Sequence, residues 1–181
     1  MYSNEIGGHM ETDIRIRLMV EADISVISSA FNEQGWCKPE SQYVSYFLEQ
    51  NQGLRSVLVA ELNNEFAGYI TIQWNSEDSY FSSRNIPELK DFNVLKKYQR
   101  LGIGSKLMNE AEDVAFTKTK TLGLSVGLIS GYGSAQRMYI KRGYLPTGEG
   151  LKSRDRVVEY FDNVVADDDL ILSFIKVKTT K

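Results

Sequence analysis

Gln99-Arg100-Leu101-Gly102-Ile103-Gly104-Ser105 places two glycines between a short extended run and a strongly amphipathic one. Glycines at such a junction admit positive φ and leave backbone N–H groups free at a helix N-terminus, where the helix dipole favours a phosphate. Three phosphate-binding patterns compete for the stretch. A Walker loop needs Gly-Lys-Ser/Thr, whereas Ser105-Lys106 follow Gly104 in the reverse order, which rejects it. A dinucleotide fingerprint needs a small residue three positions after the second glycine; Leu107 is bulky and the motif lies mid-chain, so the match is poor. Gln/Arg-x-x-Gly-x-Gly/Ala between a strand and a helix is satisfied by Gln99, Gly102 and Gly104.

Other reactive side chains are few. His9 is the only histidine, and it falls in a polar leader, Met1 to Met10, whose Gly7-Gly8-His9-Met10 has the look of a vector remnant. Zinc sites built on Cys/His clusters and Ser-His-Asp or Cys-His nucleophile systems therefore cannot be assembled from the core. Cys37 is the single cysteine and has no histidine to activate it, so it reads as a loop or packing residue. Asp167-Asp168-Asp169 reads as a solvated turn, because successive acids point in different directions. No metal site is expected.

The elements that must position the glycine turn follow from periodicity. Ile14, Ile16 and Leu18 alternate with Arg15 and Arg17, giving a first strand. A helix capped by Asp23 buries Val20, Ile24, Ile27 and Phe31, and a second begins near Ser41 with Val44, Phe47 and Leu48 on one side. Ser56–Leu62 and Phe66–Trp74 form a hairpin around Asn63-Asn64. After a polar loop, 75–85, the strand Leu89–Leu95 reaches the glycine turn, and Ile103, Leu107, Ala111, Val114 and Ala115 stripe the helix beyond it. Leu122–Leu128 is a strand, Ser134 caps a helix ending at Gly143, and Tyr144–Leu151 and Leu170–Lys176 close the chain. The order is β α α β β β α β α β β, a mixed α/β (α+β) sheet covered by helices.

With 181 residues the chain suits one domain, taken as 11–181 after a leader at 1–10. The net charge of −3 argues against nucleic acid or an anionic membrane as partner, and no run is apolar enough to span a bilayer. One cysteine fits a reducing cytoplasm.

Val94 through Leu107, with its Tyr98-Gln99-Arg100-Leu101-Gly102-Ile103-Gly104-Ser105, resembles the pyrophosphate motif of the GNAT superfamily of N-acetyltransferases. Ala135-Gln136-Arg137-Met138-Tyr139-Ile140-Lys141-Arg142-Gly143-Tyr144 is similar to its later helix motif, and the element order from Ile14 to Lys176 fits. Tyr132 departs from the pattern by standing where many members have an asparagine that helps hold the cofactor.

The resemblance implies acetyl-CoA as co-substrate and a mostly antiparallel sheet whose central strands splay apart near Val94 and Leu128. Phe92, Val94 and Leu95 would meet the pantetheine arm through backbone atoms, and Gln99, Arg100, Leu101, Gly102, Ile103, Gly104 and Ser105 would surround the diphosphate, with Arg100 or Lys106 adding charge. Acetylating an amine of pKa roughly 10.4 requires removal of a proton. Glu88 matches a position where several relatives carry a catalytic glutamate, and regular alternation gives it the parity of Phe92 and Val94; Asp91, Glu61 or a water chain are the alternatives. Tyr139 matches the family's tyrosine, whose phenol, of pKa about 10, would protonate the departing thiolate. A strand N–H near Val94 would stabilise the oxygen that gains charge.

Trp36, Tyr80 and Phe81 would border the acceptor pocket, and Arg154 and Arg156 could meet an acidic acceptor. The expected activity is transfer of acetyl to a primary amine of a small molecule or peptide, with a homodimer compatible. A non-catalytic acyl-CoA-binding sensor or interaction module is the alternative.

Overall fold

The computed structural model describes residues 13–154 and 156–179; the leader expected at Met1–Met10, with His9, lies outside the described residues. Period-two alternation makes Ile14–Leu18 strand β1, which pairs antiparallel with β2 (Arg55–Leu62). Between them lie α1 (Asp23–Glu33) and α2 (Glu40–Asn51). β2 turns into β3 (Glu65–Gln73) through Asn63 and Asn64, both at positive φ, 52° and 65°, as a tight hairpin turn demands.

A one-turn helix, α3 (Ser79–Ser82), lies in the loop before β4 (Glu88–Val94), with Asp78 accepting from the N–H groups of Tyr80 and Phe81. Then follow α4 (Ile103–Lys118), β5 (Thr121–Gly127), α5 (Gly133–Lys141), β6 (Leu145–Ser153), a two-residue β7 (Arg156–Val157) and β8 (Leu170–Val177).

The strands form one sheet in the order β1-β2-β3-β4-β5-β8-β6-β7. Among the described residues β4 and β5 are its one parallel pair, as the helical crossover between them requires. Leu58, Ala60, Ile70, Ile72 and Leu89 pack under α4 with Leu107, Met108 and Ala111, while Val57, Val59 and Tyr69 face Ile27, Phe31 and Tyr43 of α1 and α2. Each strand face thus has its own helical cover. Leu107 is fully buried at the centre of the α4 stripe, so Leu107→Ala is expected to destabilise folding by about 2–5 kcal/mol, read from urea midpoints.

Four local expectations change. Asp23 is the first residue of α1 and no side chain caps that helix; its carboxylate instead accepts from the Val20 N–H at 2.8 Å and from Arg17. In α2 the fully buried residue is Tyr43, whereas Val44 and Leu48 face solvent, because the hydroxyl of Tyr43 meets that of Tyr69 on the sheet at 3.3 Å. A turn, Ser130–Tyr132, leads into α5, which starts at Gly133 with no side-chain cap, so Ser134 lies inside the helix. β7 pairs with the end of β6 between the two closing strands, where the sequence reading placed no strand.

Candidate active site

β4 and β5 hold together only at Glu88–Gly123 and Leu89–Leu124, and beyond these pairs the strands separate. The separation begins at a bulge. Tyr69 pairs with Asn93 and Thr71 with Lys90, so Ile70 opposes both Asp91 and Phe92, and Asp91 takes a φ of 51°. At the far end of β4 the Leu95 N–H bonds the Ala67 carbonyl of the hairpin at 2.9 Å. By ladder alternation the N–H of Val94 then points away from β3, into the gap. The Val94 carbonyl accepts from the Gln99 side chain at 3.2 Å.

At the same end, Gly102 sits at φ 84° as the N-cap of α4, and Arg100 is at φ 65°. The first intrahelical bond is Lys106 N–H to the Gly102 carbonyl, 3.0 Å, so the N–H groups of Ile103, Gly104 and Ser105 have no partner within the helix. No side chain caps them, and no acid stands in the first turn. A Cβ on Gly104 would lie 3.1 Å from the Phe92 ring and 3.8 Å from Val94, so glycine lets the helix start close against the open strand. Free donors, a positive helix end and a gap lined by unpaired backbone fit an extended chain ending in a diphosphate.

Leu95 leaves this set. Its N–H is spent on Ala67, its carbonyl accepts from Tyr98 N–H at 2.9 Å, and its side chain is buried towards α1, so neither backbone group is open to a pantetheine arm. Ile103 is likewise a core side chain, contributing to the turn through its backbone alone. Arg100, Leu101, Ser105 and Lys106 are exposed around the turn.

Tyr139 lies on the α4 side of the sheet, 8% exposed, its ring edge-on to Tyr144 at 5.9 Å. Burial, with a smaller contribution from nearby Tyr132, pushes its phenol up to about 12, so it stays protonated at neutral pH. Tyr132 packs flat on Gly127, where a Cβ would come within 2.5 Å of its ring, and donates to Asp168 at 3.1 Å. The Gly127 carbonyl accepts from the Gln136 amide at 2.8 Å.

The bulge also changes the parity of Glu88. Leu89 shares the α4 face with Ile72, and Val94 shares it with Gly68, so Glu88 faces the opposite side, with Gln73. It is 5% exposed, accepts from Ser76 Oγ at 2.6 Å, and burial raises its pKa despite that bond. Asp91 lies on the same side. Lys38, Asn93, Gln42, Tyr46 and Tyr69 all donate to it, leaving little acceptor capacity for a substrate proton. Glu61 is committed to Arg17 at 2.6 Å, on the β1 side of the sheet.

The loop residues divide. Phe81 is fully buried on Gly123, closing the bottom of the gap as core, and Trp36 stacks on Phe31 at 5.9 Å. Tyr80 is half-buried beneath Arg84. Arg154 and Arg156 pair with Asp167, Asp169 and Asp162 of their own loop. Among the described residues no group of three His, Cys, Asp or Glu is placed to hold a metal, and no helix is long and apolar enough to cross a membrane. The sequence reading missed Ser76, Tyr69 and the Lys38–Gln42–Tyr46 row. On α2 the four-residue spacing of Gln42 and Tyr46 was the one visible signal, since both meet Asp91, whereas Lys38 reaches it from the connector before the helix.

The model of the acetyltransferase (GNAT) family matches residues 23–144, and the chain belongs to that family. As a member of it, the chain is an acetyltransferase. No curated protein matches the sequence significantly.

Solved structures share the fold. The ribosomal-protein-alanine N-acetyltransferase of Brucella melitensis is 20% identical with a TM-score of 0.67, the match covering 91% of this chain and 99% of that one. The yncA protein of Salmonella typhimurium, solved with its cofactor acetyl-CoA, is 18% identical with a TM-score of 0.66 over 91% and 93%. An N-acetyltransferase of Staphylococcus aureus Mu50 is 16% identical with a TM-score of 0.67 over 91% and 98%.

Proposed function

We propose that residues 11–181 form a single catalytic domain that transfers acetyl from acetyl-CoA to a primary amine of a small molecule or peptide by direct attack. The observation that carries this reading is the coincidence of two features at one end of β4: the parted strands and the uncapped start of α4. When bound, acetyl-CoA supplies the activated acyl group. The N–H groups at Gly102, Ile103, Gly104 and Ser105 hold its diphosphate, with Gln99, Arg100 and Leu101 around it, and the β4 edge at Phe92 and Val94 aligns its arm.

The two substrates meet across the gap from opposite faces. Tyr139, on the donor face, gives its phenolic proton to the leaving sulfur, and the Val94 N–H stabilises the oxygen that gains charge. Glu88, on the face covered by α1 and α2, takes the proton from the acceptor amine directly or through water. Its raised pKa brings it nearer the working pH of a base. One cysteine suits a reducing compartment, and we assign the protein to the cytoplasm.

Tyr139→Phe is expected to lower kcat by about 10²-fold with little change in KM for acetyl-CoA, the pattern of a group that acts in the transition state. An unchanged kcat for a good acceptor across the pH range removes Tyr139 as the acid. The activity itself is tested by acetyl-CoA consumption with a panel of amino acids, polyamines, aminoglycosides and peptide N-termini. Tight acetyl-CoA binding without turnover across the panel would favour a sensor or interaction module.

A further inference from the structure

The connector between α1 and α2 sends Lys38 to the sheet. Its Nζ donates to Asp91 Oδ1 at 2.8 Å and to the Tyr69 hydroxyl at 3.0 Å, and lies 5.4 and 5.5 Å from the ring centroids of Phe31 and Tyr69. A carboxylate, a phenol oxygen and two ring faces together make an ammonium cage. The cage stands at the bulge, two residues beyond the last β4–β5 pair and next to Phe92. Its occupant comes from a segment that is neither helix nor strand.

The walls do not depend on that occupant. Gln42, Tyr46, Tyr69 and Asn93 each donate to Asp91 independently of Lys38, and the hydroxyl of Tyr69 is also met by that of Tyr43. Both charged side chains keep an opening to solvent, 19% for Lys38 and 17% for Asp91. A preformed carboxylate site, filled by a tethered ammonium and open to exchange, lies on the face from which the acceptor would approach.

We infer that this cage is the subsite for the acceptor's ammonium, and that Lys38 occupies it as an intramolecular stand-in until a cationic alkylamine displaces it. The inference rests on the amine-acetylating reading and narrows its substrate class to primary amines on an unbranched alkyl chain, the shape Lys38 itself presents. The cage docks the protonated amine, the form that dominates at neutral pH, before its proton is taken. A tethered competitor acts at an effective concentration in the millimolar range, so its removal exposes the site to weak free ligands.

n-Propylammonium supplies the atoms that Lys38→Ala removes, and calorimetry reads its binding without any turnover. Binding to Lys38→Ala is expected to be at least tenfold tighter than to the unaltered protein, and at least tenfold weaker again in Lys38→Ala/Asp91→Asn. Lys38→Ala/Tyr69→Phe, which deletes one phenol oxygen and keeps the bulge carboxylate, should also weaken it. Lys38→Met, which fills the cage with an uncharged chain, should not bind. Absence of binding to a folded Lys38→Ala protein, or binding indifferent to Asp91 and Tyr69, overturns the cage. Because the probe is not acetylated in this experiment, a failed amine panel would leave the binding result standing. Conversely, a working enzyme whose Lys38→Ala form ignores n-propylammonium would refute the cage alone.

Discussion

Gly104→Val is expected to weaken acetyl-CoA binding at least 100-fold, about 2.8 kcal/mol, while the thermal midpoint falls by no more than a few degrees. The side chain would enter at a point where a Cβ already lies 3.1 Å from the Phe92 ring, and its methyls would shield the N–H groups that start α4. In the proposed site those donors are the main attraction for the diphosphate, because the turn itself, residues 99–106, carries only Arg100 and Lys106 as cations. Gly104→Ala separates the effects. Alanine favours the helix by about 1 kcal/mol over glycine, which offsets its crowding, so a fall in affinity without a fall in stability marks the residue as part of the cradle. Calorimetric titration with acetyl-CoA, beside thermal unfolding of the same samples, makes the comparison; undiminished affinity in Gly104→Val would remove the α4 start from the donor site.

Glu88→Gln is expected to reduce kcat by about 10²–10⁴-fold and to abolish the acidic limb of the pH–rate profile. The limb should lie above the usual carboxylate range, since burial raises the pKa of Glu88. The same shift has a stability consequence of known sign. A carboxyl whose folded pKa exceeds its unfolded one favours the fold most when protonated, so its contribution is present at low pH and is lost as pH rises through the folded pKa. Glu88→Gln should therefore abolish that loss and unfold at a higher temperature than the parent protein above neutrality, even as activity falls. An enzyme that loses stability in parallel with activity would make Glu88 a structural partner of Ser76 instead.

Much of this arrangement is legible in the sequence because it rests on local signals. Asn63-Asn64 dictates its own turn, and the stripe from Ile103 to Ala115 orients α4. Gly102 and Gly104 mark a strand-to-helix junction where backbone donors stay free. The bulge has no such signature. Asp91 at positive φ is held by partners on α2, β3 and the α1–α2 connector, and this long-range cluster reverses the face that Glu88 would occupy in a regular strand. The same cluster draws Tyr43 inward and leaves Val44 and Leu48 in solvent, against hydrophobic periodicity. Leu95 illustrates the limit from another side: its type suits a strand next to the cofactor, yet its backbone is consumed by Ala67 and Tyr98.

Acetyl transfer is tested most directly by mixing the protein with acetyl-CoA carrying an isotopically labelled acetyl group and the same panel of amines, then measuring labelled amide by mass spectrometry against free CoA thiol. One labelled N-acetyl product formed per thiol released, with both reduced together by Tyr139→Phe and Glu88→Gln, is the predicted result. Saturable acetyl-CoA binding with no labelled amide from any amine, or thiol release without amide, would contradict the account.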